Sequence, residues 1–173
     1  MLVSMLLLAI LTLGAVSAQE DSSADVLAVD SASSHVLDDG ISYDKTIYVN
    51  TTGDDSNTGS QNSPYATINK GISSVNASDN AVIYLSKGTF TGDNNTDLSI
   101  SLAHEKYDGS LTIIGQGNDK TFIDGESVSS FLKSVSGDTA LTLINISFIN
   151  GKASTGSMIN CGGNLTVDNC VFE

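Results

Sequence analysis

Basic side chains are scarce in this sequence. It has no arginine, and its seven lysines face 20 acidic residues, which gives a net charge of −13 at pH 7. Proteins that bind nucleic acid or anionic lipid use clustered Lys or Arg to neutralise phosphates. The sequence contains no such cluster, and we therefore expect no nucleic-acid partner.

Residues that commonly carry catalysis are also few. The two histidines, His35 and His104, are far apart in polar, charged surroundings, which favours solvated side chains over a catalytic pair. There is no Ser/His/Asp or Cys/His arrangement and no phosphate-binding glycine loop. The sequence therefore assigns no catalytic residue and no bound cofactor.

The two cysteines, Cys161 and Cys170, are compatible with an oxidising exterior. Their spacing permits a disulfide. Cys170, however, stands where Ile146 stands in an aligned repeat, as a small apolar core residue would. A free thiol is the favoured interpretation, and the disulfide is the alternative.

A repeat dominates the second half of the chain. Residues 141–148 read LTLINISF, residues 165–172 read LTVDNCVF, and a fainter copy, LTIIG, occupies residues 111–115. Apolar and polar residues alternate within each copy, which is the period of a β-strand. Because the copies are too far apart for hairpins and no helical pattern separates them, we expect the strands to stack in parallel as successive turns of one coil.

The alignment of the copies also predicts the register of the stack. The expected pairs are Leu141 with Leu165, Leu143 with Val167, and Phe148 with Phe172. Asn145 aligns with Asn169, and Gly115 has the same offset. Asn and Gly tolerate positive φ, so this column predicts a repeated bend at which Asn side chains form a structural ladder along the stack.

Two segments precede the repeats. Residues 1–18 are almost wholly apolar and end in Val16-Ser17-Ala18, which is typical of a secretory signal peptide, although no Lys or Arg precedes the apolar run. A membrane-spanning anchor is the alternative, but the apolar run is short and acids follow it. Residues 19–44 are acidic and rich in Ser and Ala, which predicts a disordered leader. The mature chain is then expected to have no stable membrane span.

The period changes between the leader and the repeats. Residues 65–76 place apolar side chains on one helical face, at Ile68, Ile72 and Val75, and Thr67 can serve as the N-cap. A stack of strands exposes backbone edges and core at its end, and a short amphipathic helix can cover them. We therefore predict an N-terminal capping helix.

Several stretches of the sequence resemble the right-handed parallel β-helix proteins of the pectate-lyase-like superfamily. The likeness is strongest to the adhesin-like surface proteins of methanogenic archaea. The stretches are IYV at 47–49, GDDSNTG at 53–59, SPYATI at 63–68, LTIIGQG at 111–117, TFIDG at 121–125 and GGNLTVDNCVFE at 162–173. The resemblance implies an all-β, right-handed β-helix over residues 45–173 with the short capping helix at its start. It bears weakly on activity, because this scaffold carries lyases, hydrolases and adhesins alike.

The last repeat ends at Glu173. A rung with nothing stacked on it leaves Leu165, Val167 and Phe172 uncovered, which a solenoid does not normally tolerate. The expectation is therefore that the β-helix is incomplete at its C-terminal end and belongs to a longer protein.

Four acids are candidates for a Ca²⁺ site. Asp54 and Asp55 form one pair in a loop, and Asp93 and Asp97 form another. A lyase of this scaffold needs a cation and a basic residue close together. No Asp-x-Asp-x-Asp ligand repeat supports either pair, so solvated turn acids are the favoured interpretation. Residues 95–97, Asn-Thr-Asp, match a short glycoside hydrolase motif by letters, but its partner motifs are missing.

Five Asn-x-Ser/Thr sequences occur, at Asn50, Asn76, Asn94, Asn145 and Asn164. Asn76 and Asn94 lie in predicted loops and are the candidate glycosylation sites. Asn145 belongs to the predicted ladder and is expected to be buried.

These features together favour a secreted or cell-surface, adhesin-like module without catalytic activity. Its expected partners are extracellular or cell-surface glycans or proteins. The alternative is the N-terminal part of an extracellular polysaccharide lyase.

Overall fold

The computed structural model describes residues 41–100, 109–135, 139–152 and 158–173. The predicted signal peptide, residues 19–40 of the predicted leader and both histidines lie outside the described residues. The elements are β1 Lys45–Val49, α1 Ile68–Ser73, β2 Asn80–Leu85, β3 Gly88–Phe90, β4 Leu98–Ile100, β5 Ser110–Ile114, β6 Thr121–Asp124, β7 Leu132–Val135, β8 Ala140–Ile144, β9 Ser147–Ile149, β10 Ile159–Cys161, β11 Asn164–Asp168 and β12 Val171–Phe172.

The strands form three sheets in which every pairing is parallel. The first sheet has the order β1-β2-β5-β8-β11, the second β3-β6-β9-β12, and the third β4-β7-β10. Three complete turns of the described chain contribute one strand to each sheet, as β2, β3 and β4 do before β5 begins the next turn. The fold is a parallel β-helix, as the repeat predicted.

The register inferred from the repeat is confirmed. Leu141 pairs with Leu165 and Leu143 with Val167 between β8 and β11, and Phe148 pairs with Phe172 between β9 and β12. The rings of Phe148 and Phe172 are stacked, with centroids 4.8 Å apart and planes inclined by 16°. Such a pair contributes about 0.5–1.5 kcal/mol beyond its area burial. Stacked columns of identical or similar residues therefore specify how the rungs align.

The core lies inside the coil. On β2, Ala81, Ile83 and Leu85 point inward and are fully buried, while Tyr84 between them points outward. The same alternation recurs along the first sheet because equivalent residues stack rung on rung. Burial of each large aliphatic side chain contributes about 1.5–3 kcal/mol. The inward columns therefore stabilise the coil. The outward columns are mixed, because Tyr84 is half-buried whereas Val82 and Ile144 are buried.

Helix α1 covers the N-terminal end of the coil. Thr67 is the N-cap and accepts a hydrogen bond from the Lys70 N–H, as predicted. Ile68 and Ile72 lie on the buried face of the helix. A Cβ at Gly71 would lie only 3.1 Å from Cγ2 of Val49, so the glycine allows the helix to approach β1 closely. The capping helix is confirmed; α1 spans 68–73 within the predicted 65–76.

Contacts with the first sheet begin before Lys45. The Asp44 N–H donates to the Asn80 carbonyl at 2.8 Å, and the Asp44 carboxylate accepts from the Asn80 N–H at 3.0 Å. Nδ2 of Asn80 donates to the Ser42 carbonyl at 2.9 Å. Residues 42–44, which the sequence placed in a disordered leader, are therefore fastened to β2.

The last rung, formed by β11 and β12, pairs with the preceding rung only, and no described strand lies on its other side. Leu165, Val167 and Phe172 are 39, 42 and 44% exposed, although their equivalents one rung earlier are buried. Among the described residues α1 is the only helix, and it is too short to cross a bilayer.

Candidate functional site

The loop after β1 uses its two acids for local hydrogen bonds. Asp55 Oδ1 accepts from the N–H groups of Ala66 and Thr67, both at 2.9 Å, and its Oδ2 accepts from the Thr67 hydroxyl at 2.7 Å. Asp54 Oδ1 accepts from the N–H and hydroxyl of Ser56, and these bonds lower the pKa of Asp54. Asp55 thus fastens the loop to the start of α1, and Asp54 closes a turn.

The two acids of the second predicted pair, Asp93 and Asp97, also lie in different surroundings. Asp97 Oδ1 accepts from the Ser130 hydroxyl at 2.7 Å and the Ser130 N–H at 2.8 Å, and chiefly the hydroxyl bond lowers the pKa of Asp97. Asp93 is exposed. Within the described ranges, no three His, Cys, Asp or Glu side chains are grouped so that they could hold a metal ion. Three of the four carboxylates therefore have defined structural roles.

The Asn-Thr-Asp letters at residues 95–97 also have a structural explanation. Asn95 Oδ1 accepts from the Ile68 N–H at 3.0 Å, at the first turn of α1, and its Nδ2 donates to the Thr91 carbonyl at 2.8 Å. Thr96 is 2% exposed, and its hydroxyl donates to the Gly92 carbonyl. These side chains join the capping helix to the following loop.

An amide row marks the corner between the first and second sheets. Asn145 and Asn169 have φ of 59° and 47°, and Asn169 Nδ2 donates to Asn145 Oδ1 at 2.7 Å. Asn118 Nδ2 donates to Asn169 Oδ1 at 3.0 Å. Asn118 was not predicted, because it lies 51 residues from Asn169 and outside the aligned copies. Asn145 is partly exposed, so the expectation that it is buried is wrong: its side chain points along the outside of the coil.

Gly115 occupies the same corner for a different reason. Its φ is not positive, so the expected column of positive φ holds only for the two asparagines. A Cβ at Gly115 would collide with the Asn145 carbonyl oxygen. The glycine is therefore needed because the rungs approach closely there.

A pair of tyrosines lies on the outer face of the first sheet. Tyr48 and Tyr84 are in register on β1 and β2, and their rings stack with centroids 5.4 Å apart and planes inclined by 23°. Both are half-buried. Burial chiefly raises the pKa of Tyr84, and the nearby hydroxyls of Tyr48 and Tyr43 add to it. The parallel between IYV at 47–49 and IYL at 83–85 is the signal that could have predicted this pair.

The outward column continues from the tyrosines toward the amide row. Ile114 follows Tyr84 in register, and Ile144 follows Ile114. Ile144 directly precedes Asn145. At a ladder spacing of about 4.8 Å, Tyr84 and the Asn145 rung are roughly 10 Å apart. We call Tyr48, Tyr84, Asn145 and Asn169 the outer strip.

The cysteines are both free. Cys161 and Cys170 pack partly buried against the core, and for Cys170 this agrees with the position predicted from its alignment with Ile146. Burial chiefly raises the pKa of the Cys170 thiol. The alternative, a disulfide, is not formed.

Three sheets of exclusively parallel strands, coiled around one apolar core, define this chain as a parallel β-helix protein. Residues 51–166 match a family model described as "Protein of unknown function (DUF1565)". The chain belongs to that family. Two further comparisons, with curated proteins and with solved structures, found no match.

Proposed function

We propose that the protein is a secreted or surface-displayed, adhesin-like module that attaches to extracellular glycans without catalysing a reaction. The observation that carries the proposal is the stacked pair Tyr48 and Tyr84 on the outer face of the coil. A tyrosine offers an apolar ring and a hydroxyl, so it can contact both the C–H face and the hydroxyls of a sugar.

The amide row supports the same interpretation. Asn145 and Asn169 carry carboxamides, which both donate and accept hydrogen bonds and so suit sugar hydroxyls. The rungs repeat at a fixed spacing of about 4.8 Å, and a repeating surface suits a repeating ligand. The outer strip therefore supports attachment to a chain of sugars.

Charge selects the kind of glycan. The net charge of −13 opposes the approach of polyuronates and other anionic polymers. The four residues of the outer strip carry no formal charge at neutral pH, and the exposed carboxylate of Asp168, which follows Ile144 in the same outward column, adds to the repulsion of anionic polymers. Neutral glycans are therefore the partners that the strip suits best. The acids Asp54, Asp55 and Asp97 contribute hydrogen bonds within the fold, which supports a binding role over the alternative of a polysaccharide lyase.

The proposal is tested by screening the purified 173-residue chain against immobilised neutral glycans, polyuronates and extracted cell-surface proteins at physiological salt. We expect retention on neutral glycans and none on polyuronates. Retention on polyuronates alone would overturn the charge argument, and retention on no surface would overturn the proposed attachment.

A further inference from the structure

The five Asn-x-Ser/Thr sequences occupy different local structures, and one of them presents its side chain as an acceptor for sugar transfer. We propose that Asn50 is the residue at which the folded protein receives an N-linked glycan. The inference rests on the proposed function only because the chain must reach a compartment that supplies lipid-linked oligosaccharide.

Asn50 begins a tight turn directly after β1. Its carbonyl accepts from the Gly53 N–H at 2.7 Å, and its Oδ1 accepts from both the N–H and the hydroxyl of Thr52, each at 3.0 Å. Within the described ranges, Nδ2 of Asn50 donates to no acceptor. Thr51 and Thr52 are exposed. The turn therefore presents a free amide nitrogen beside a hydroxyl that already contacts the same carboxamide.

This arrangement suits the chemistry of glycosyl transfer. A carboxamide nitrogen is a poor nucleophile because its lone pair is delocalised into the carbonyl. Hydrogen bonds to Oδ1 make the Nδ2 protons more acidic, so a base of the transferase can remove one. Nδ2 of Asn50 then attacks C1 of a sugar on a polyprenyl diphosphate. The N–C1 bond forms, the C1–O bond breaks, and the diphosphate leaves with the electron pair.

The two sites favoured from the sequence lack this geometry. Nδ2 of Asn76 donates one of its two N–H groups to the Asp79 carboxylate at 3.1 Å, and within the described ranges no hydroxyl donates to its Oδ1. Asn94 is exposed, but the hydroxyl of its Thr96 is buried and donates to the Gly92 carbonyl at 3.0 Å. Neither site offers both the amide nitrogen and the hydroxyl.

The remaining two sites are constrained by the coil. Oδ1 of Asn145 accepts from Asn169, and the buried Ser147 hydroxyl donates to the Asn118 carbonyl at 2.6 Å. Asn164 is exposed but belongs to β11, which is paired along its length with β8. An extended, paired strand cannot form the turn in which residue i+2 bonds back to the asparagine.

The test uses the folded 173-residue chain, a single-subunit oligosaccharyltransferase and a polyprenyl-diphosphate oligosaccharide, with occupancy measured by glycopeptide mass spectrometry. We expect Asn50 to be occupied about fivefold more than Asn76, the factor that one hydrogen bond of typical net strength supplies. Unfolded synthetic peptides around the same two sites should be modified within a few-fold of each other.

The variant Asp79→Ala releases Nδ2 of Asn76 and should raise occupancy there, with circular dichroism confirming that the fold persists. Thr52→Ser, which keeps the hydroxyl, should retain transfer to Asn50. Preference for Asn76 or Asn94 in the folded chain, or no transfer to Asn50 while the control peptides are modified, would overturn the proposal. Because the assay requires no glycan binding by the protein, it can fail or succeed independently of the proposed attachment.

Discussion

Asn145 occupies a bend in the middle of the coil, and its side chain is not part of the apolar core. Replacing it with leucine therefore tests the bend without removing a core side chain. The residue has a φ of 59°, its N–H donates to the Asp168 carbonyl at 3.1 Å, and its Oδ1 accepts from Asn169 at 2.7 Å. Leucine would keep the backbone bond. It would remove the side-chain bond and place a branched side chain in the left-handed region.

The two losses can be given magnitudes. A side-chain hydrogen bond contributes about 0.5–1.5 kcal/mol net, and a left-handed conformation costs most L-residues about 1–2 kcal/mol, less for asparagine. Asn145→Leu should therefore lower the free energy of unfolding by about 1–3 kcal/mol. Asn145→Gly should cost less, because glycine relieves the conformational strain although it also loses the side-chain bond.

Urea unfolding, followed by circular dichroism, measures these differences. Asn164→Leu is the matched control, because Asn164 is exposed on β11 and its side chain bonds to no residue in the described ranges. The expected order of midpoints is wild type and Asn164→Leu highest, then Asn145→Gly, then Asn145→Leu. If Asn145→Leu unfolds at the same urea concentration as Asn164→Leu, the bend and its ladder contribute nothing and the reasoning is refuted.

Three further predictions concern acid, proteolysis and catalysis. The Ser130 hydrogen bonds lower the pKa of folded Asp97 below its unfolded value near 3.8. They therefore stabilise the fold above that pH, and the stabilisation is lost as pH falls through the folded pKa. Asp97→Asn should flatten this part of the plot of unfolding free energy against pH, and an unchanged plot would contradict the assignment. A nonspecific protease should remove residues before about residue 40 and spare β1, since Asp44 is fastened to Asn80; mass spectrometry of the stable fragment decides, and protection of residues 25–39 would show that the segment is docked. Polygalacturonate or alginate with Ca²⁺ should give no rise in absorbance from unsaturated products, and a rise above the buffer blank would favour the lyase.

The first sheet was predictable because its rungs repeat similar residues at matching positions. Leu141, Leu143 and their partners in the later copy fix the register by direct alignment. The capping helix was predictable because Thr67 and the apolar spacing are local signals. The third sheet is harder to align, because its short strands pair with register shifts between β4, β7 and β10.

The outer strip could be predicted only in part, for a physical reason. Alignment placed Asn145 beside Asn169, but the bond from Asn118 joins residues 51 apart whose proximity depends on how the corner folds. The role of Asp55 likewise depends on a loop returning to α1. Alternation predicts which side chains point outward, whereas the contacts among polar groups depend on the path of loops that follow no repeat.

Binding of a neutral glycan to the tyrosine pair tests the central claim most directly. Affinity should be measured by titration calorimetry for the wild-type chain, for Tyr48→Ala with Tyr84→Ala, and for Val128→Ser. Val128 is the matched control because it is 72% exposed and lies in the loop after β6, outside the outer strip. We expect the double variant to lose about tenfold or more in affinity, as loss of a contact worth about 1.4 kcal/mol would produce, and Val128→Ser to bind as the wild type does. Equal affinity of the double variant and the wild type would contradict the claim.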